Sequence, residues 1–123
     1  MANPNGKKGA SFERLTADYW RDNYDDRIDR RVKTGAKDKG DLANVRLGSH
    51  RIVVECKNER AISLAAWVKE AQEEAVNDGA LCGVVVAKRK GNARPEDQYV
   101  ILRQEDLLKL LKAAASKNTS SFT

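Results

Sequence analysis

The sequence holds two cysteines, two prolines, one methionine and one histidine among 123 residues, and these scarcities close off several kinds of chemistry. Cys56 and Cys82 sit inside apolar runs, without C-x-x-C spacing and with only His50 to join them. Both are expected to be reduced core residues, so neither a disulfide framework nor a zinc site follows from them. His50 falls in a short polar turn with no serine or cysteine placed to complete a nucleophilic triad, and it is assigned no catalytic role. No uninterrupted apolar stretch approaches the roughly 20 residues that span a bilayer. The opening MANPNGKKGASFE has no apolar signal core, and the expected location is the cytoplasm.

Charge is what the chain has in abundance. Charged residues make up 33% of it against 41% hydrophobic, with a net charge of +5 and a pI near 9.3. That balance excludes a disordered chain and favours a polyanionic partner, because Lys and Arg that neutralise phosphates release condensed counterions. A single domain over 1–123 is expected at this length, with a flexible polar lead over about 1–9 and a loose tail over about 116–123.

Phe12, Leu15 and Tyr19 recur at helical spacing with Ser11 available as a cap, which predicts a first helix over about 10–24. Weak alternation over 27–34 predicts an edge strand, followed from Gly35 by a basic loop that ends at Asp41. Two strands, over about 41–47 and 51–57, flank a hairpin turn at Gly48-Ser49-His50. Leu64, Trp67, Val68, Ala71 and Ala75 form one helical stripe that stops at Gly79, with Trp67 as core and Glu70, Glu73 and Glu74 on a solvated face. The unalternating, β-branched run over 81–87 marks a strand covered on both faces in the middle of a sheet. A basic turn over 88–95, a strand over 99–102 and a leucine-rich helix to about Ala115 complete the order αβββαββα. The expected class is α/β, a mixed five-stranded sheet flanked by helices, in which the helix after residue 64 crosses between parallel neighbours.

Gly40-Asp41 is followed fourteen positions on by Glu55-Cys56-Lys57. Strand alternation puts Glu55 and Lys57 on one face, beside a position that a carboxylate from the neighbouring strand can reach. Paired carboxylates suit Mg²⁺ or Mn²⁺, hard ions that take oxygen ligands and keep several waters. A lysine there can orient or help deprotonate an attacking water, or neutralise charge building on a phosphoryl group. The tripeptide alone is weak, since about one (D/E)-x-K match arises by chance in a chain this long and a surface salt bridge is its ordinary meaning. Its surroundings add to it. Glu13 lies off the apolar stripe of the first helix, and basic residues bracket the motif: Arg30, Arg31, Lys33, Lys37 and Lys39 before it, and Lys88, Arg89, Lys90 and Arg94 at the far turn. One geometric condition applies. In a regular hairpin turning at Gly48-Ser49, Asp41 opposes Cys56 and faces away from Glu55, so Asp41 must precede the regular ladder or sit at a bulge, which Gly40 permits.

Phe12-Glu13 on a helix, Arg30-Arg31-Val32-Lys33, the loop from Thr34 to Asp41, and Val54-Glu55-Cys56-Lys57 together resemble Holliday junction resolvases of the PD-(D/E)XK superfamily, both the archaeal type and the short type of actinobacterial phages. The likeness continues through Asn77-Asp78-Gly79-Ala80 and Gly83-Val84-Val85-Val86-Ala87-Lys88, and covers about residues 8–103. It implies a restriction-endonuclease-like core. It also implies a catalytic set of Glu13, Asp41, Glu55 and Lys57, with Mg²⁺ (Mn²⁺ able to substitute) on Asp41, Glu55 and Glu13. Thr34 would supply an assisting hydroxyl. DNA would be contacted by Arg30, Arg31, Lys33, Thr34, Lys37, Lys39, Lys88, Arg89 and Lys90, in a homodimer that cuts four-way or other branched DNA during recombination and repair, in the host cytoplasm if phage-encoded. Gly40 stands where the signature has proline, which alters the loop and removes no ligand. Two other readings stay open: another nuclease of the superfamily, nicking, repair or exonuclease-like, and a non-catalytic DNA-binding module on the same fold.

Overall fold

Three helices and six strands form an α/β fold in a computed structural model that describes residues 4–33, 35 and 37–121. In chain order they are α1 (Pro4–Asn23), β1 (Asp29–Arg30), β2 (Leu42–Ala43), β3 (Arg46–Leu47), β4 (His50–Lys57), α2 (Leu64–Asp78), β5 (Cys82–Ala87), β6 (Tyr99–Ile101) and α3 (Gln104–Ser121). β4 and β5 run parallel, from Ile52↔Cys82 to Lys57↔Ala87, with α2 as the crossover that such a pair requires. β3 and β6 flank them antiparallel in the order β3-β4-β5-β6, so the apolar run of β5 is an inner strand as its composition predicts. α2 stops where the sequence places its end, at Gly79 in the left-handed conformation.

The expected single five-stranded sheet is replaced by this four-stranded sheet and a separate pair, β1 with β2. The physical reason is Asn44. Its backbone takes φ 67, which no pleat can continue, and its side-chain Nδ2 donates to the Arg27 carbonyl at 2.9 Å. The strand expected over 41–47 therefore breaks into β2 and β3, which join different sheets. The helix ends also differ from expectation. α1 starts at Pro4, a residue suited to a first turn, so Ser11 is interior and no cap, and much of the polar lead is helical. α3 continues to Ser121 through most of the expected tail.

Apolar layers cover the sheet on both faces. Phe12, Ala17, Ile28, Leu42, Val45, Val54, Val84 and Val86 form the larger one, with α1. Trp67, Ala71 and Val85 form the smaller one, under α2, with Trp67 in the core as expected. Cys82 is buried and Cys56 half-buried, both free thiols, as their setting predicts. Among the described residues no helix is long and apolar enough to cross a membrane.

α2 and β5 approach closely at Gly83, where a Cβ would collide with the Ala71 carbonyl. Because that obstacle is backbone, relief requires lifting α2 off β5. Gly83→Ala is expected to cost about 3 kcal/mol, the upper part of the usual overpacking range, read as a lowered urea midpoint with an unchanged slope.

Candidate metal centre

Along β4, Val54 and Cys56 pack towards α1, which turns Glu55 and Lys57 towards α2. Glu55 is 4% exposed, at the carboxyl end of the parallel pair. Lys57 Nζ lies 2.6 Å from Glu70 Oε2 and 3.3 Å from Glu55 Oε2. Burial works against this ammonium, but the two carboxylates outweigh it and hold it protonated. Lys57 is thus a fixed positive charge and a poor proton acceptor, which narrows the roles its position allows to orientation and charge neutralisation.

Asp41 meets the geometric condition by an irregularity. Ile52 N–H donates to Val45 O at 2.9 Å and Asp41 N–H donates to Val54 O at 2.8 Å, so four residue steps on one strand span two on β4. The excess is taken up around Asn44, and the regular pairing of Asp41 with Cys56 is lost. Gly40 passes so near β4 that a Cβ would lie 2.8 Å from Val53 Cγ1, and its φ of 93 suits glycine alone. The Asp41 side chain, 3% exposed, then reaches forward to accept the Cys56 N–H at 2.7 Å through Oδ2, while Oδ1 accepts from Lys33 Nζ at 2.8 Å.

From there its charge is felt on both sides. The Glu55 carboxyl is pushed well above the ordinary carboxylate range, by burial first and by Asp41 and Glu74 next. Glu13, on α1, is also raised, by burial first and then by Asp41. Arg30 Nη2 stands 3.4 Å from Glu13 Oε1 and partly offsets that. Glu13, Asp41, Glu55 and Lys57 are therefore brought to one cleft.

The sequence reading of α2 needs a correction. Of its three glutamates Glu73 is exposed and Glu70, though it pairs with Lys57, keeps a side chain 42% exposed, but Glu74 is only 2% exposed. Helical spacing carried the signal, because Glu74 follows Trp67 by seven and Ala71 by three, inside the apolar stripe. Asp38 lies in a loop whose composition is otherwise basic. Asp38, Glu55 and Glu74 each offer an oxygen within 4.8 Å of the others. Glu55 Oε1 and both Glu74 oxygens are buried without a hydrogen-bond partner. Buried carboxylates are normally satisfied, and a donor set made only of oxygen atoms with unspent lone pairs fits a hard divalent cation.

Basic residues border the cleft unevenly. Arg31, Lys33, Lys37 and Lys39 line a groove with Asp38, although Lys33 is engaged by Asp41. The Lys88 N–H donates to Lys57 O at 2.8 Å, which sets the second basic turn at the end of β4. Arg89 stacks over the Tyr99 ring at 4.7 Å, and Lys90 is exposed. Thr34 lies outside the described residues. No family model, curated protein or solved structure matches this chain.

A carboxyl raised in the fold contributes stability that is fully present below its unfolded value, about 4.5 for Glu74, and lost as pH rises through the folded value. Burial raises Glu74 most, then Asp38, and no cation pairs with it among the described residues. With a chelator present, the chain is expected to lose thermal stability between pH 6 and 9. Glu74→Gln should be more stable than wild type by about 1–3 kcal/mol at pH 9 and equal to it near pH 5, measured by calorimetry.

Proposed function

We propose that the chain is a metal-dependent DNA endonuclease with the core of the PD-(D/E)XK superfamily, acting on branched DNA in the manner of a Holliday junction resolvase. The observation that carries this reading is the bulge at Asn44. The surplus of two residues sets Asp41 back beside Val54, and with a glycine pressed against β4 it leaves Asp41 Oδ2 to accept the N–H of Cys56, the residue between Glu55 and Lys57. Irregularities of this kind cost stability and cluster where a side chain must be re-aimed.

Asp41 and Glu55 would hold Mg²⁺ or Mn²⁺, and Glu13, behind Asp41, would anchor a coordinated water or serve as a further ligand. A cation bound there supplies Lewis-acid polarisation of the scissile phosphate and a more acidic water. Lys57, kept protonated by Glu70 and Glu55, would orient the attacking water and oppose charge gathering on the phosphorus-bound oxygens. Arg31, Lys37 and Lys39 on one side and Lys88 and Lys90 on the other would seat the flanking phosphates. Tyr99 and Val100 on the edge strand β6 and Leu107, Leu108 and Leu111 on α3 are exposed apolar side chains that a homodimer could cover, and symmetric cleavage needs two sites.

Mg²⁺ titrated into assays of a four-way junction and a linear duplex separates the possibilities. Junction-selective cutting is the expected outcome. Equal cutting of both substrates would indicate a general nuclease, and binding without cutting would indicate a DNA-binding module. Asp41→Asn and Lys57→Ala should each lower cleavage by about 10²-fold or more while leaving junction binding intact, and unchanged cleavage in either would remove that residue from the mechanism.

A further inference from the structure

Glu74 has no role in the centre formed by Asp41 and Glu55, yet it is the most deeply buried glutamate of the cleft. It is 2% exposed, with neither oxygen paired. Glu55 Oε1 is unpaired as well, while Glu55 Oε2 faces Lys57. Asp38 completes the group from the loop. It is fixed there because Asn77, one turn beyond Glu74 on α2, donates to the Asp38 carbonyl at 2.9 Å, and because the Gly40 N–H donates to Asp38 Oδ1 at 2.9 Å. The ammonium groups of Lys57 and Lys33, which pair with Glu55 and Asp38, are held mainly by other carboxylates. Lys57 is bound by Glu70, and Lys33 stands 2.8 Å from Asp41 but 3.9 Å from Asp38.

We propose that Asp38, Glu55 and Glu74 form a second divalent-cation site, on the α2 side of Glu55. A proton shared between Glu55 and Glu74 would pair one oxygen of each, whereas a cation would serve both carboxylates and Asp38 together. The donors are all carboxylate oxygens, and Cys56 packs towards the other face of the sheet, so the site suits Mg²⁺ or Mn²⁺ and not a thiophilic metal. Asp38, 41% exposed, sits at its open side, where the cation would keep the waters that such ions release reluctantly. The inference stands on these carboxylates alone and holds for a chain that cuts no DNA.

Mn²⁺ titrated into the full chain without DNA, with free ion followed by electron paramagnetic resonance, tests it. Wild type is expected to take up one Mn²⁺ on the Glu74 side in addition to one on the Asp41 side. Glu74→Gln should lose the former, and Asp38→Asn, an exposed loop change that leaves the core untouched, should weaken it by about tenfold or more. Wild-type uptake unchanged in both variants would overturn the proposal. Binding lost in Asp41→Asn but retained in Glu74→Gln would overturn it while leaving the Asp41 centre standing. Binding lost in Glu74→Gln but retained in Asp41→Asn would support it and count against Asp41 as a ligand.

Discussion

The backbone of α2 rests on the backbone of β5, and that contact, Ala71 against Gly83, sets where the carboxylates of the cleft lie. A glycine in an inner strand ordinarily weakens it. Here it lets a helix approach closer than side chains allow, and the neighbouring positions inherit the short distance. Glu70 and Glu74 sit on either side of Ala71 along the helix, and β4 runs parallel to β5 with Glu55 beside Val85. Bringing helix and sheet together therefore brings Glu70 to Lys57 and Glu74 to Glu55. The small apolar layer of Trp67, Ala71 and Val85 fixes this geometry, and the Trp67 indole donates to Glu59 at 2.8 Å, tying the start of the crossover to the same helix.

The electrostatics of the cleft oppose those of the chain. The whole carries +5, yet Glu13, Asp38, Asp41, Glu55, Glu70 and Glu74 gather around only Arg30, Lys33 and Lys57. Ionised together, these carboxylates would repel a polyanion at the basic borders unless protons or bound cations neutralised them. Low dielectric strengthens that repulsion, and the outer lysines, held in water, cannot screen it. Burial first and this crowding next keep Glu55 and Glu74 high in proton affinity, so cation binding would displace protons there.

Much of this was readable before the fold was known, where one physical rule acted alone. Alternation placed Glu55 with Lys57, helical spacing delimited α2, and the β-branched run after Leu81 identified the inner strand. What escaped were positions where two rules compete. Asn44 sits in a stretch whose alternation favours a continuous strand, and only its tolerance of a left-handed backbone, unforced by any neighbour, breaks it. Glu74 lies on the apolar stripe, but its charge argues for solvent, and a buried carboxylate is legible only when its neighbours in space are known. Asp38 belongs to no periodic element. The helix ends moved for a simpler reason, since polar helix formers near a terminus carry no apolar stripe to reveal them.

The break at Asn44 also separates distance along the chain from distance in space. In an unbroken hairpin, each residue added or removed between Asp41 and the Gly48 turn would swing the aspartate to the opposite face, and only pairs of changes would restore it. The surplus taken up around Asn44 is itself a pair, four steps against two, so Asp41 keeps its face and only its position along β4 changes. The interval between the aspartate and the E-x-K pair can then differ by two residues while the aspartate keeps its face. A search for relatives by fixed spacing would pass over such chains.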